Sequence, residues 1–183
     1  MKLYYQRMMA IVIVLLTTLV LTLNAVAVQG DKSNRPSPPG TAELALNGKK
    51  ITIEYSRPSM RGRKIVGGLV PYDQVWRTGA NEATSLKTEI DLVIGGVNVP
   101  QGSYTLYTLP AQNGWKLIIN KQTGQWGTEY DQSQDLARIP MKVEKLPSPV
   151  EQFTISLDKT KVGGVLKLDW ENTRAWVDLQ PKK

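Results

Sequence analysis

Apolar and polar residues alternate along most of the chain beyond residue 42, which is the pattern of β-strands with one buried face. The run 42–46 alternates up to Asn47-Gly48, and the alternation then resumes over residues 51–55. Asn-Gly between two such runs predicts a β-hairpin, because both central residues of a type I′ turn need a positive φ. Two more hairpins are predicted, joining Leu86–Ile94 to Val97–Val99 across Gly95-Gly96 and Ser103–Leu109 to Trp115–Asn120.

The C-terminal part continues the alternation over residues 153–157, 166–170 and 175–179. Glu171-Asn172-Thr173 separates the last two runs as a predicted turn, and residues 139–143 are an additional candidate strand. A helical signal is confined to a turn or two at Gln132–Ala137. About nine short strands with frequent turn signals predict an all-β fold, an antiparallel β-sandwich or a partly open barrel.

The N-terminus has the features of an export signal. Lys2 and Arg7 precede a 16-residue largely apolar run, Met8–Leu23, and Ala25-Val26-Ala27 gives an A-x-A cleavage pattern. We therefore expect a signal peptide at 1–27, a flexible linker at 28–41 and a single β domain at 42–180. The alternative is an uncleaved anchor, in which case the protein contacts the membrane only through this segment. Both interpretations predict a periplasmic or secreted domain.

The composition limits the chemistry available to the protein. The 183 residues include no histidine and no cysteine, which excludes thiol nucleophiles, imidazole bases and Cys/His metal sites. Asp131–Asp135 places oxygen ligands at alternate positions, but the glycine and glutamate of a calcium loop are absent, so a capped loop is the better interpretation. We expect no cofactor and no metal. The net charge of +7 comes without a nucleic-acid-binding motif, and we expect no nucleic-acid partner.

One segment breaks the alternation. Ser56–Glu82 is 27 residues long, holds four glycines and is strongly basic over its first part. A stretch of this kind is typical of an ordered functional loop. Its candidate ligand-binding residues, with one tryptophan from the later loop at Gly124–Gly127, are Arg57, Arg63, Trp76, Arg77, Asn81, Glu82 and Trp126.

Two interpretations of these arginines remain open. In the first, the planar guanidinium groups bind loop carbonyls and pair with Asp73 or Glu82, which stabilises a loop without a strand partner. In the second, they face a cleft and bind an anionic or sugar ligand beside an exposed tryptophan.

Longer segments resemble a known family. Glu54–Thr84 contains Arg-Pro-Ser-Met-Arg-Gly-Arg-Lys and Val-Trp-Arg-Thr-Gly-Ala-Asn-Glu, and it looks very like the signature of a bacterial exported family, domain of unknown function 2911. Pro100–Pro110, Asn120–Gly127 and Leu168–Thr173 are similar to other segments of that family. The resemblance covers about residues 42 to 180. It implies export and a β domain, and it brings no catalytic residues because the family's activity is unassigned.

The first functional hypothesis is an exported, non-catalytic β-sandwich module. It would bind a small polar or anionic ligand, a sugar, or an envelope partner at the Arg/Trp loop 56–82. One alternative is a carboxylate-based, hydrolase-like enzyme with Glu82 and Asp73 as acid and base, which requires both groups in one cleft. Another is a purely structural envelope protein.

Overall fold

Nine antiparallel strands form the domain in a computed structural model that describes residues 32–183. The predicted signal or anchor at residues 1–27 lies outside the described residues. Ser33–Lys183 form one compact unit. The strands are β1 (Pro39–Leu46), β2 (Lys49–Ser56), β3 (Thr84–Thr88), β4 (Leu92–Ile94), β5 (Val97–Val99), β6 (Gly102–Leu109), β7 (Trp115–Asn120), β8 (Asp135–Lys159) and β9 (Gly164–Pro181).

The strands follow the order β1-β2-β3-β6-β7-β8-β9-β4-β5 in a sheet that does not close. The all-β prediction is confirmed, and the architecture agrees with a sandwich or an open barrel. Within residues 32–183, no helix has the length and apolar character needed to cross a membrane. The predicted helical signal corresponds to a 3-10 turn at Gln132–Gln134, capped by the Asp131 side chain.

The local turn signals are largely correct. Asn47 and Gly48 have φ values of 52° and 74° between β1 and β2, as a type I′ turn requires. Gly95 and Gly96 turn β4 into β5, and β6 and β7 form the third hairpin.

The prediction of one strand over Leu86–Ile94 is wrong. β3 ends at Thr88, whose hydroxyl donates to Ile90 O and accepts from Ile90 N–H, at 2.7 and 3.3 Å. Such a local side-chain turn competes with the strand ladder and ends it. β3 pairs with β2 and β6, whereas β4 pairs with β5 and β9.

The C-terminal runs are also longer than predicted. β8 has 25 residues and β9 has 18, so the predicted turn at Glu171–Thr173 is wrong. At that point Glu171 takes a positive φ of 53°, and the facing part of β8 shifts register twice between Lys145 and Thr154. These irregularities bend the strand pair without ending it. β8 pairs with β7 as far as Met141 and with β9 from Lys142 onward.

The buried core draws residues from all nine strands, including β2 and β8, which are not neighbours in the sheet. The hydroxyl of Tyr55 in β2 accepts from Ile155 N–H in β8 at 2.9 Å and donates to Ile155 O at 3.3 Å. A side chain in the core therefore joins β2 to β8, between which no strand ladder runs. The fully buried apolar residues include Ile51, Ile53, Leu106, Leu117, Ile119 and Ile139.

Candidate functional site

The long loop returns to the sheet at Trp76. Its backbone exchanges two hydrogen bonds with Thr108 of β6, at 2.8 and 2.9 Å. The indole packs inward, stacked on Trp170 at 5.6 Å and edge-on to Phe153 at 5.0 Å. Neighbouring residues of an extended segment point to opposite faces, so this register places Arg77 on the outer face, opposite Tyr107.

A second loop covers this outer face. Ala83 N–H donates to Gln125 O at 3.1 Å and Gly127 N–H donates to Asn81 O at 3.0 Å, which sets Trp126 opposite Glu82 in an antiparallel bridge. Gly127 is needed for this approach. A Cβ at that position would lie 2.7 Å from Arg77 Cδ and 2.8 Å from Asn81 O, closer than real Cβ atoms come.

The amide of Gln125 has a fixed orientation. Its Nε2 donates to Thr105 Oγ1 at 3.2 Å and to the Tyr107 hydroxyl at 3.1 Å. Both hydroxyl protons are already used, because Thr105 donates to Gln122 O at 2.7 Å and Tyr107 donates to Glu129 O at 3.2 Å. Each hydroxyl can only accept from Gln125, so the amide nitrogen must face them.

Three buried polar side-chain atoms lack a hydrogen-bond partner within residues 32–183, and all three belong to this region. They are Arg77 Nε, Gln122 Oε1 and Gln125 Oε1. Trp126, which follows Gln125 in the chain, is 47% exposed. We call Arg77, Thr105, Tyr107, Gln122, Gln125 and Trp126 the Arg77 cluster. It contains one cationic donor and two amide acceptors, the chemistry of a polar binding site.

A fully paired network lies behind the Arg77 cluster. Tyr130 packs edge-on against the Tyr107 ring at 4.8 Å and donates to Asp135 at 2.7 Å. Arg138 donates to both Tyr130 and Asp135, and Asn120 donates to Asp135. Burial and the Asp135 carboxylate raise the pKa of Tyr130 to about 12, and burial also raises the pKa of Tyr107. The phenols therefore act here as neutral hydrogen-bonding groups.

Residues 35–38, within the predicted linker, lie along the long loop. Arg35 Nη1 donates to both carboxylate oxygens of Glu82, at 2.9 and 2.8 Å. Pro36 O accepts from Arg61, Ser37 O accepts from Asn81, and Pro38 O accepts from the Arg57 backbone. This segment thus reaches the loop on the Glu82 side of the cluster.

The structure separates the sequence-predicted residues into two groups. Arg57 donates to Phe153 O and Thr154 Oγ1 of β8, and Arg63 donates to the loop carbonyls of Ser59 and Met60. Asn81 donates to Ser37 O and Ser56 Oγ, and the Trp76 ring joins the core aromatic residues. Arg77, Glu82 and Trp126 are brought together by the bridges described above.

The two candidate catalytic carboxylates have different surroundings. Both oxygens of Glu82 bind the Arg35 guanidinium. Asp73 is exposed at the β6–β7 turn, where its N–H donates to Pro110 O at 2.8 Å and its φ is 60°. Hydrogen bonding therefore ties Glu82 to residues 35–38 and Asp73 to the β6–β7 turn.

Sequence reasoning missed Thr105, Tyr107, Gln122 and Gln125. Thr105 and Tyr107 alternate with core residues of β6, and the two glutamines flank the turn at Gly124, so no local pattern marks them. The one available signal was the placement of Trp126 between loop glycines. The pairing of two distant loops, which no short motif encodes, creates the cluster.

The acidic residues of the Asp131–Asp135 segment form hydrogen bonds within the chain. Residues 32–183 contain no group of three acidic side chains placed to hold a metal ion. In the segment weighed as a calcium loop, Asp131 accepts from Ser133 N–H at 2.8 Å as a helical cap. Asp135 binds Tyr130, Arg138 and Asn120 instead.

A groove of about 260 Å³ lies elsewhere, at the β4–β5 turn and the end of β9. It is lined by Gly95, Val162 and Leu179 among others, and its one ionisable residue, Asp178, pairs with Lys142 at 3.6 Å. No residue of the Arg77 cluster lines this groove. Its polar lining side chains are those of Thr160, Asp178 and Gln180.

Comparison with known proteins agrees with the resemblance noted in the sequence. The family model described as "Protein of unknown function (DUF2911)" matches residues 37–179, which include the whole Arg77 cluster. No curated protein and no solved structure matches the chain.

Proposed function

The chain belongs to the DUF2911 family of unknown function, and on that premise we propose that it is a non-catalytic module binding a small polar ligand at the Arg77 cluster. The observation that carries this proposal is that three polar side-chain atoms of this region, Arg77 Nε, Gln122 Oε1 and Gln125 Oε1, are buried without a hydrogen-bond partner. Each buried polar group without a partner costs roughly 1–3 kcal/mol. A ligand with both donors and acceptors would recover that free energy on binding.

The surroundings support a binding role over a stabilising one for Arg77. Arg57 and Arg63 each donate two hydrogen bonds to the chain, whereas Arg77 Nε donates none. Trp126 adds an exposed aromatic surface of the kind on which ligands stack. Buried polar atoms without a partner in the chain are groups whose hydrogen bonding a ligand can complete.

The hydrolase alternative is less well supported. A pair of carboxylates working as acid and base must share one cleft about 5–9.5 Å apart. Glu82 has both oxygens engaged by Arg35, and Asp73 lies beside Pro110. We therefore assign Glu82 the task of fixing residues 35–38 against the loop.

The binding proposal is tested by nitrogen–proton NMR of the full chain, which reports the Nε–H of Arg77, the indole N–H of Trp126 and the glutamine amides directly. The probes are simple methyl glycosides, sugar acids, inorganic phosphate and amino acids. At least one probe should shift the Arg77 and Trp126 signals. Arg77→Met should abolish the shift, and Leu69→Ala should not, because Leu69 is also 47% exposed but lies elsewhere in the loop. If no probe shifts these signals, the proposal fails.

We also propose that the domain acts outside the cytoplasm, on the strength of the apolar segment and Ala25-Val26-Ala27. Protein recovered from the periplasm or the medium should begin at Val28 or within a few residues of it. Full-length protein found only in membranes would instead support an uncleaved anchor.

A further inference from the structure

We propose that residues 61–69, which we call the basic tip, dock the domain on the surface of a membrane that contains anionic lipids. The inference is independent of ligand binding at the Arg77 cluster and concerns a different part of the long loop. It rests on three observations. The tip carries cations without an acidic partner, it exposes a leucine beside them, and a short stretch of chain connects it to the apolar N-terminal run.

Backbone hydrogen bonds fold the basic tip into a tight projection. Arg63 N–H donates to Met60 O at 3.0 Å, and Leu69 N–H donates to Lys64 O at 3.1 Å. Between these two turns Ile65, which is 1% exposed, packs into the core and fixes the projection to the domain. The cationic residues and the leucine are therefore carried together on one short, exposed segment.

The basic tip has an uncompensated positive charge. Arg61, Arg63 and Lys64 are exposed, and none of them forms an ion pair within residues 32–183. The hydrogen bonds that the two guanidinium groups donate go to backbone carbonyls. Two carboxylates touch the tip, but they accept from its backbone, Glu151 from one N–H at 2.9 Å and Glu171 from two at 3.1 and 3.3 Å. The cationic side chains are therefore available to an external anionic surface.

The exposed leucine favours a membrane over a soluble anion. Leu69 is 47% exposed, and its backbone bond to Lys64 places it next to a cation. A soluble phosphate makes no use of an apolar side chain, whereas a lipid surface presents anionic headgroups directly above hydrocarbon. Basic and apolar side chains on one exposed segment are thus suited to the boundary between lipid and water.

The N-terminal connection leads from the tip toward the predicted signal or anchor. Arg61 Nη2 donates to Pro36 O at 3.2 Å, so residue 36 lies against the tip. The eight residues from there back to residue 28 span at most about 29 Å. An uncleaved apolar run would therefore hold the tip close to the bilayer surface. In the cleaved form, the tip would give the domain a membrane contact of its own.

The test uses the absence of cysteine from the chain. Leu69→Cys introduces the only thiol, which takes the environment-sensitive fluorophore NBD at the tip. The labelled full chain is mixed with vesicles of phosphatidylcholine alone, or of phosphatidylcholine with phosphatidylglycerol. We expect the NBD emission to rise and shift to the blue with the mixed vesicles, because the label leaves water as the tip docks.

Two controls accompany this measurement. Lys64→Gln in the labelled chain should weaken binding to the mixed vesicles about fivefold, whereas Lys49→Gln removes the same charge at the exposed start of β2 and should change it less than about twofold. The same label at Val162→Cys, in the exposed β8–β9 turn, should stay in water. β9 begins at Gly164, about 23 Å along the strand from Glu171, which touches the tip. Circular dichroism of each variant verifies that the fold is intact.

Each outcome supports or overturns the inference. An emission change at the tip that requires phosphatidylglycerol and weakens in Lys64→Gln supports it. An unchanged emission overturns it, and so does an equal change with phosphatidylcholine alone, in Lys64→Gln, or at the Val162 position. A change produced by inorganic phosphate without vesicles overturns it in favour of a soluble anion. None of these results bears on the NMR test of the Arg77 cluster, so the two proposals fail separately.

Discussion

Replacing Arg77 by methionine should leave the protein as stable as wild type or make it more stable. The methionine keeps an unbranched stem to pack against Gly127 and removes a guanidinium whose Nε is buried without a partner. Leaving such a donor unpaired costs about 1–3 kcal/mol, part of which the substitution recovers. We expect a gain of about 0–2 kcal/mol in the free energy of unfolding.

Arg57→Met is the matched control. Arg57 is partly buried like Arg77, but it donates to Phe153 O at 3.3 Å and to Thr154 Oγ1 at 3.1 Å. Losing both bonds should cost about 1–3 kcal/mol. In a domain of this size 1 kcal/mol corresponds to roughly 2–4 °C in Tm, so the two variants should move in opposite directions or differ by several degrees.

The assay is thermal unfolding followed by far-ultraviolet circular dichroism, repeated with urea so that the m-value verifies that the unfolding reaction is unchanged. The reasoning is refuted if Arg77→Met lowers Tm as much as Arg57→Met does. That result would mean that the Arg77 guanidinium stabilises the fold, and the main argument for a binding site would be lost.

Three further predictions concern the elements around the site. Tyr55→Phe should lower the free energy of unfolding by about 1–3 kcal/mol, because the N–H and C=O groups of Ile155 both lose their partner. An unchanged midpoint of urea unfolding would contradict this prediction. The pKa of Tyr130 is raised from 10.0 in the unfolded chain to about 12 in the folded protein. The contribution of neutral Tyr130 to the free energy of unfolding is therefore complete below pH 10, and it is lost as the pH rises from 10 to 12. Tyr130→Phe should flatten that part of the stability profile, and a tyrosinate absorbance titration that finds every tyrosine ionising near pH 10 would exclude the raised value. Gly127→Ala should destabilise the pairing of the two loops by about 1–3 kcal/mol, because its Cβ would lie 2.7 Å from Arg77 Cδ. The substitution should also shift the Arg77 Nε–H signal in the NMR spectrum. An unchanged signal would show that the Arg77 side chain leaves room for the added Cβ.

The role of residues 35–38 follows from the same contacts. The Arg35–Glu82 pair is partly exposed, with side-chain exposures of 36% and 40%, so it contributes little to stability. Its geometry matters more, because Glu82 pairs backbone to backbone with Trp126. The pair therefore links residues 35–38 to the loop that carries the exposed indole.

The sequence by itself determined the features that depend on neighbouring residues. Alternation with period two identified the strands, because each strand buries one face. Asn47-Gly48 and Gly95-Gly96 located their turns, because few residues tolerate a positive φ. The family was also recognisable from the residues of the long loop, since the match spans 37–179.

Only the tertiary structure decided which segments are continuous and which meet. The break at Glu171–Thr173 looks like a turn in sequence, yet cross-strand pairing carries β9 through it, because ladder hydrogen bonds on both sides outweigh one strained residue. The Arg77 cluster combines residues from the long loop, β6 and the loop after β7. Its unpaired atoms result from how three distant segments pack, and packing between distant segments leaves no periodic trace in the sequence of any one of them.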